Sequence, residues 1–264
     1  MKKLTASAIL MGFILLLSCG DGGSEETKQN GVIYADVMDY GDPDFLGGEA
    51  MLYCDVMVDT SDFALAINGV ELEKDEWEDP YPNFVFWGNV PKADPSNLSF
   101  TSSALGNASA SARIPGSTDI TSPADEDTFP MGQDVNVIWN QTSCDFYWLD
   151  VDIEFYDNSG GYLDGRSYSG YTTSTSYTIP GDSLAYSGAT YAEVSFGILP
   201  VYGPIPDPGT HGNITGDIEG FFYTVNEGAG VFFYVGTPKA YVMRRPKEFS
   251  NQRFLMSIRE LLGY

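Results

Sequence analysis

From residue 31 onward the chain alternates short apolar-rich runs with turn-forming clusters, and no window sustains a helical period until close to the C-terminus. GVIYADVM, AMLYCDVMV, FALAIN, NFVFWG, NLSF and ASASARI are separated by YGDPDFLGG, DPYPN and PKADPSN, whose Gly, Pro, Asp and Asn residues break regular structure. Within Phe63 to Glu73, Asn68-Gly69 predicts a hairpin, because a type I′ turn needs positive φ at both central residues. In Trp148 to Tyr156, Leu149, Val151, Ile153 and Phe155 alternate with Asp150, Asp152 and Glu154, predicting a strand with one apolar and one acidic face. Further strands are predicted at Ser176 to Ile179, Ala192 to Ile198, Gly220 to Val225 and Val231 to Val235, with a long loop over Pro200 to Pro208. Many short strands without an internal repeat predict β-sandwiches rather than a propeller. The expected fold is all-β, with a first sandwich over residues 31–115, a second over 116–226, and a strand with a basic tail over 227–264.

The start of the chain has a different texture. Lys2 and Lys3 precede an apolar run from Leu4 to Leu17, too short for a spanning helix of about 20 residues and proportioned like a secretory signal. Leu16-Leu17-Ser18-Cys19 resembles the lipobox of bacterial lipoproteins. The resemblance implies that residues 1–18 are a signal peptide, that Cys19 carries a thioether-linked diacylglycerol, and that cleavage leaves Cys19 as the first residue. Acyl chains add about 0.8 kcal/mol per buried methylene, so two or three hold a protein at a bilayer. Residues 20–30 lack apolar side chains and read as a tether. Gly20, standing where an Asp retains some lipoproteins in the inner membrane, implies the outer membrane; Glu25 and Glu26 faintly resemble acidic surface-export signals.

Ile120 to Trp139 (ITSPADEDTFPMGQDVNVIW) resembles the first two strands of bacterial immunoglobulin-like and fibronectin-type domains. This implies an immunoglobulin-like sandwich for the second unit and transfers no functional residue.

Charge divides the chain. The formal net charge is −24, from 37 acids and 13 bases. Such a field repels nucleic acid, so no nucleic-acid partner is expected. Six of the bases, Lys239, Arg244, Arg245, Lys247, Arg253 and Arg259, fall in the last 26 residues. There Ser250 can cap a helix through Gly263 that places Phe254, Ile258, Leu261 and Leu262 on one side. This basic amphipathic tail leaves three readings open: a membrane-surface helix, a segment docked on an acidic partner of which the protein's own body is the nearest, or sequence lying beyond the natural domain end. Besides Cys19 there are Cys54 and Cys144, without a CxxC pair. The reading favours two partly buried thiols over an interdomain bridge, and no zinc site is expected.

Candidate chemistry is sparse. His211, the only histidine, lies in a Gly/Pro turn without a nucleophile motif. Glu73, Asp75, Glu76, Glu78 and Asp79 could hold a glycosidase pair, but read as a flexible acidic loop. No catalytic residue and no obligatory cofactor is expected. Calcium is the one metal the pattern suits, with Asp39, Asp42 and Asp44 in one loop, Asp125, Glu126 and Asp127 in another, and Asp157, Asn158 and Asp164 around a Ser-Gly-Gly that equally reads as a hairpin turn, none at EF-hand spacing. Trp77, Tyr81 and Trp87 are the carbohydrate candidates, since sugar-binding sandwiches stack rings on exposed aromatics, whereas Phe84 and Phe86 are expected to face the core. The function expected is a non-catalytic lipoprotein held in the envelope through Cys19, presenting modules to a protein or glycan; a carbohydrate-binding accessory protein is second and an exported hydrolase third.

Overall fold

The computed structural model describes residues 31–54, 63–78 and 82–237, together with Ile258 and Leu261. The strands are β1 (Gly31–Asp39), β2 (Phe45–Cys54), β3 (Phe63–Ile67), β4 (Val70–Glu71), β5 (Glu73–Glu78), β6 (Pro82–Pro91), β7 (Ser96–Ser102), β8 (Gly106–Ala112), β9 (Ile120–Ser122), β10 (Thr128–Phe129), β11 (Val135–Trp139), β12 (Phe146–Tyr156), β13 (Tyr162–Thr172), β14 (Ser176–Ile179), β15 (Tyr191–Tyr202), β16 (Thr215–Gly216), β17 (Glu219–Asn226) and β18 (Ala229–Gly236). A 3-10 turn, Gly181–Leu184, precedes β15. Among the described residues no helix is long and apolar enough to cross a membrane.

The fold is all-β and holds two sandwiches built on one continuous sheet. That sheet of ten strands runs β5-β6-β2-β1-β17 and then passes to β15, whose other edge carries β12 and β13. Alternation explains the first core: Ile33, Ala35 and Val37 of β1, Leu52 of β2 and Phe84 and Phe86 of β6 point one way, against Leu65, Ile67 and Phe100 of the sheet β16-β8-β7-β3-β4. Phe84 and Phe86 thus face the core as expected, and the Phe63 ring meets Phe84 edge-on at 4.7 Å. The second core sets Leu149, Val151, Ile153 and Phe155 of β12 and Val194, Phe196 and Ile198 of β15 against Val135, Val137 and Trp139 in the sheet β14-β11-β9.

The predicted hairpin is present, with Asn68 at φ 52° and Gly69 at φ 80° between β3 and β4. Three local expectations change. Glu73–Glu78 is the edge strand β5 rather than a flexible loop; charges on an exposed strand edge deter pairing with other chains. Tyr162–Thr172 forms an unexpected strand of 11 residues, and β15 extends through Pro200 to Tyr202. Pro200 falls where the ladder of β15 passes from β18, last paired at Ile198, to β17, first paired at Val201.

Two strands lie end to end along that edge of β15. β17 runs parallel to β1 over eight residue pairs, Val32 with Glu219 through Asp39 with Asn226, while β18 pairs antiparallel with β15 from Tyr191 to Ile198. Only Glu227 and Gly228 separate them, and a Cβ on Gly228 would lie 1.8 Å from the Ile198 carbonyl oxygen, so the close approach requires glycine. β16 pairs with β8, and Asn226 Nδ2 donates to the Pro115 carbonyl at 2.7 Å.

Candidate functional site

Strands β1, β12, β15 and β17 are covered on both faces, unlike strands at an open surface. On the face of the long sheet turned away from the two cores, register sets residues side by side. Tyr223, Asp36, Glu49, Trp87 and Glu73 form one row across β17, β1, β2, β6 and β5. Phe221, Tyr34 and Met51 form the next. Across β13, β12 and β15, Tyr171-Trp148-Leu199, Ser167-Asp152-Ser195 and Gly165-Glu154-Glu193 follow in turn.

The middle of this face is an aromatic floor. Tyr34 stacks on Phe221 at 5.5 Å, Phe221 on Tyr223 at 6.4 Å, and Phe146 meets Tyr171 and Tyr223 edge-on. Ile258, fully buried and helical, and Leu261 pack onto it. Those two residues were predicted to share one side of a C-terminal helix. Burial, and then the charge of Tyr34, push the Tyr223 hydroxyl upward.

On both sides the floor gives way to carboxylates of unusual burial. Asp36 is 0% exposed, Asp152 8% and Glu193 4%. Burial, and then the charge of Glu49, push the Asp36 carboxyl well above the usual carboxylate range, against a smaller lowering by a backbone hydrogen bond. Burial raises Glu49 as well. Asp152 accepts from the Ser167 hydroxyl, and Tyr156 donates to Glu154 at 2.6 Å. The Tyr234 hydroxyl is pushed up by burial and then by Glu193 and Glu126. The acidic alternation of β12 was visible in the sequence. Asp36 has one signal in the sequence, a single charge within the apolar run GVIYADVM, because Tyr223 beside it comes from the distant strand β17 and only Glu49 from the next strand, β2.

The calcium candidates sit apart from this face's acidic rows. Asp39 is nearly buried; its Oδ2 pairs with Lys92 Nζ and its Oδ1 accepts the Gly41 amide. Asp42 Oδ1 accepts the amides of Asp44 and Phe45, at 2.8 and 3.0 Å, and Asp44 is exposed. Asp125 accepts the Phe232 amide and Asp127 the Ala124 amide, tying one loop to β18. These carboxylates cap loop backbone, and no group of three or more His, Cys, Asp or Glu among the described residues is placed to hold a metal ion. Asp157 Oδ1 likewise accepts the Ser159 hydroxyl and the amides of Gly161 and Ser159, which closes the β12–β13 turn and lowers its pKa.

Of the carbohydrate candidates, Trp87 is 39% exposed, with Glu49 and Glu73 in register on either side. The Trp77 backbone pairs with Asn83 in β5, and Tyr81 lies outside the described residues, as does Cys19. Cys54 is buried in the first core and Cys144 half-buried beside the second; no disulfide joins them. His211 is exposed on the loop between β15 and β16.

No protein-family model and no curated protein matches the chain. Several solved structures resemble it in part, among them two from bacteria. The fibronectin(III)-like modules of Clostridium thermocellum CbhA share 8% identity over 82% of this chain and 100% of that one, with TM-score 0.24. The Yersinia pseudotuberculosis adhesin InvE shares 12% over 77% of this chain and 58% of its own, with TM-score 0.23. At such scores neither superposition carries an argument about what this chain does.

Proposed function

We propose that the chain is a non-catalytic lipoprotein of the bacterial envelope, held in the outer membrane through Cys19, whose two sandwiches act as a binding or structural module. The observation that carries the modular part of this reading is the shared sheet: it joins both cores through one hydrogen-bonded ladder and makes a stiff body rather than two beads on a linker. The lipobox Leu16-Leu17-Ser18-Cys19 supports the anchor. Expression in a bacterium fed an alkyne-tagged palmitate tests it. Label is expected on the wild type and absent from Cys19→Ala, and an unlabelled wild type overturns the anchor.

A second reading, glycan binding, is favoured by one observation, the exposed Trp87 ring between two carboxylates on a sheet face. Trp87→Ala is expected to abolish retention on glycan arrays. Because the ring is 39% exposed and lies outside both cores, the change is expected to cost less in urea unfolding than the roughly 3–5 kcal/mol of a core aromatic. Equal glycan retention by wild type and variant, or no retention by either, removes this reading.

A further inference from the structure

The face that carries Asp36, Asp152 and Glu193 is that of a sheet with no third layer predicted from sequence, yet these carboxylates are buried like core residues. Asp36 lies fully buried beside Glu49, whose backbone gives its carboxylate a hydrogen bond that does not offset the burial. Something covers this face, and the chain itself supplies an occupant of the right position, length and charge.

Position comes from its two ends. β18 ends at Gly236 beside Tyr191, and the Thr237 amide donates to the Thr190 carbonyl, at the end of the face where Glu154 and Glu193 lie. The chain is next described at Ile258 and Leu261, already seated on the aromatic floor beside Trp148 and Leu199. From Tyr191 to Leu199 is eight strand steps, about 27 Å. The 21 steps from Thr237 to Ile258 reach about 30 Å even when wholly helical, so the span is within range.

Charge gives the orientation. Between those ends and just beyond them stand Lys239, Arg244, Arg245, Lys247, Arg253 and Arg259, in a chain whose body is strongly acidic. The face beneath offers Asp150, Asp152, Glu154 and Glu193 at one end and Glu49 at the other. Opposite charges held on a partly dehydrated face attract far more than the same charges in water.

We propose that residues 238–264 dock on this outer face of their own chain, with Ile258 and Leu261 as the apolar foot and the basic residues over the carboxylates of β12 and β15. The tail is therefore a third layer of the protein, and its occupant is intramolecular rather than a membrane or a second copy.

Limited trypsin digestion of the full chain, read by mass spectrometry, tests this. Lys247 and Arg253 provide cleavage sites in the tail, while Lys92 and Arg166 report whether the body stays folded. In low salt the wild type is expected to be cut at Lys247 and Arg253 about tenfold more slowly than the Asp152→Asn, Glu154→Gln, Glu193→Gln triple variant, which removes three of the carboxylate charges, the factor to which a few modest charge pairs multiply. The same acceleration is expected for the wild type in 1 M salt, where screening acts over about 3 Å. Arg244→Glu with Arg245→Glu provides the converse variant without touching the sheet, and is expected to accelerate cutting equally. The proposal is overturned if the wild type is cut as fast as the variants in both salts while Lys92 and Arg166 stay intact. Protection that rises with protein concentration overturns it in favour of a second copy, and protection seen only with vesicles rich in anionic lipid overturns it in favour of a membrane.

Discussion

Phe222→Ala is expected to destabilise the whole protein by about 3–5 kcal/mol, the usual range for a large aromatic removed from a closed core. Phe222 is fully buried in the first core, although it arrives there late in the chain on β17. Its strand is locked on one side to β1 and touches β15 at Val201 and Tyr202 on the other. Damage in the first sandwich is therefore transmitted to the second through a shared ladder. Denaturant unfolding, followed separately by Trp87 fluorescence in the first unit and by Trp139 and Trp148 in the second, is expected to give coincident transitions that move together in the variant. Single-tryptophan versions of the protein separate the signals. Transitions that part, with only the first displaced, would show two independent sandwiches.

Asp36→Val is expected to stabilise the protein at neutral pH, by about 1–3 kcal/mol, because it removes a fully buried carboxyl whose burial and charged neighbour Glu49 outweigh its backbone hydrogen bond. The sign follows from linkage. Asp36 ionises with more difficulty in the folded protein than at its ordinary value of 3.8, so folding favours its protonated form. Below about pH 4 the group is protonated in both states and carries no ionisation penalty. As pH rises through the interval up to the raised folded value, the unfolded state releases its proton first and stability falls. Glu49, also raised, contributes with the same sign. Urea midpoints between pH 4 and pH 8 are expected to decline less steeply for Asp36→Val than for the wild type, with the two closest at the acid end. A variant less stable than the wild type at pH 7 would mean that the carboxylate is a net stabiliser, which its surroundings contradict.

How far the structure could be read in advance depended on which side chains carried the pattern. β12 was legible because Leu149, Val151, Ile153 and Phe155 alternate with acids, and the β3–β4 hairpin because Asn68-Gly69 tolerates positive φ. β13 was hidden, since its tyrosines stand among Ser and Gly without alternating, Tyr168 over the second core and Tyr171 on the opposite face, and it pairs with β12 alone. Pro200 masked the end of β15, as proline removes an amide and is read as a break, yet here it occupies the junction between two ladders. Nothing local announces that β17 lies parallel to β1, because pairing partners nearly two hundred residues apart leave no mark in either sequence. The same distance hid the meeting of Tyr223 with Asp36. The charge contrast between tail and body was plain from the sequence, whereas the burial of Asp152 and Glu193 that gives it meaning appears only once the strands are assembled.

The position of β1 also determines how the molecule answers a mechanical load. The chain enters the described body at Gly31, and β1 is an interior strand, hydrogen-bonded along its length to β2 on one side and to β17 on the other. A pull applied at Gly31 along the strand axis cannot peel β1 from an edge one bond at a time. It must slide the strand past both neighbours, loading the two ladders in shear and dragging the side chains of Ile33, Ala35 and Val37 through the first core. Such a geometry resists force arriving from the N-terminal side far better than an edge strand would.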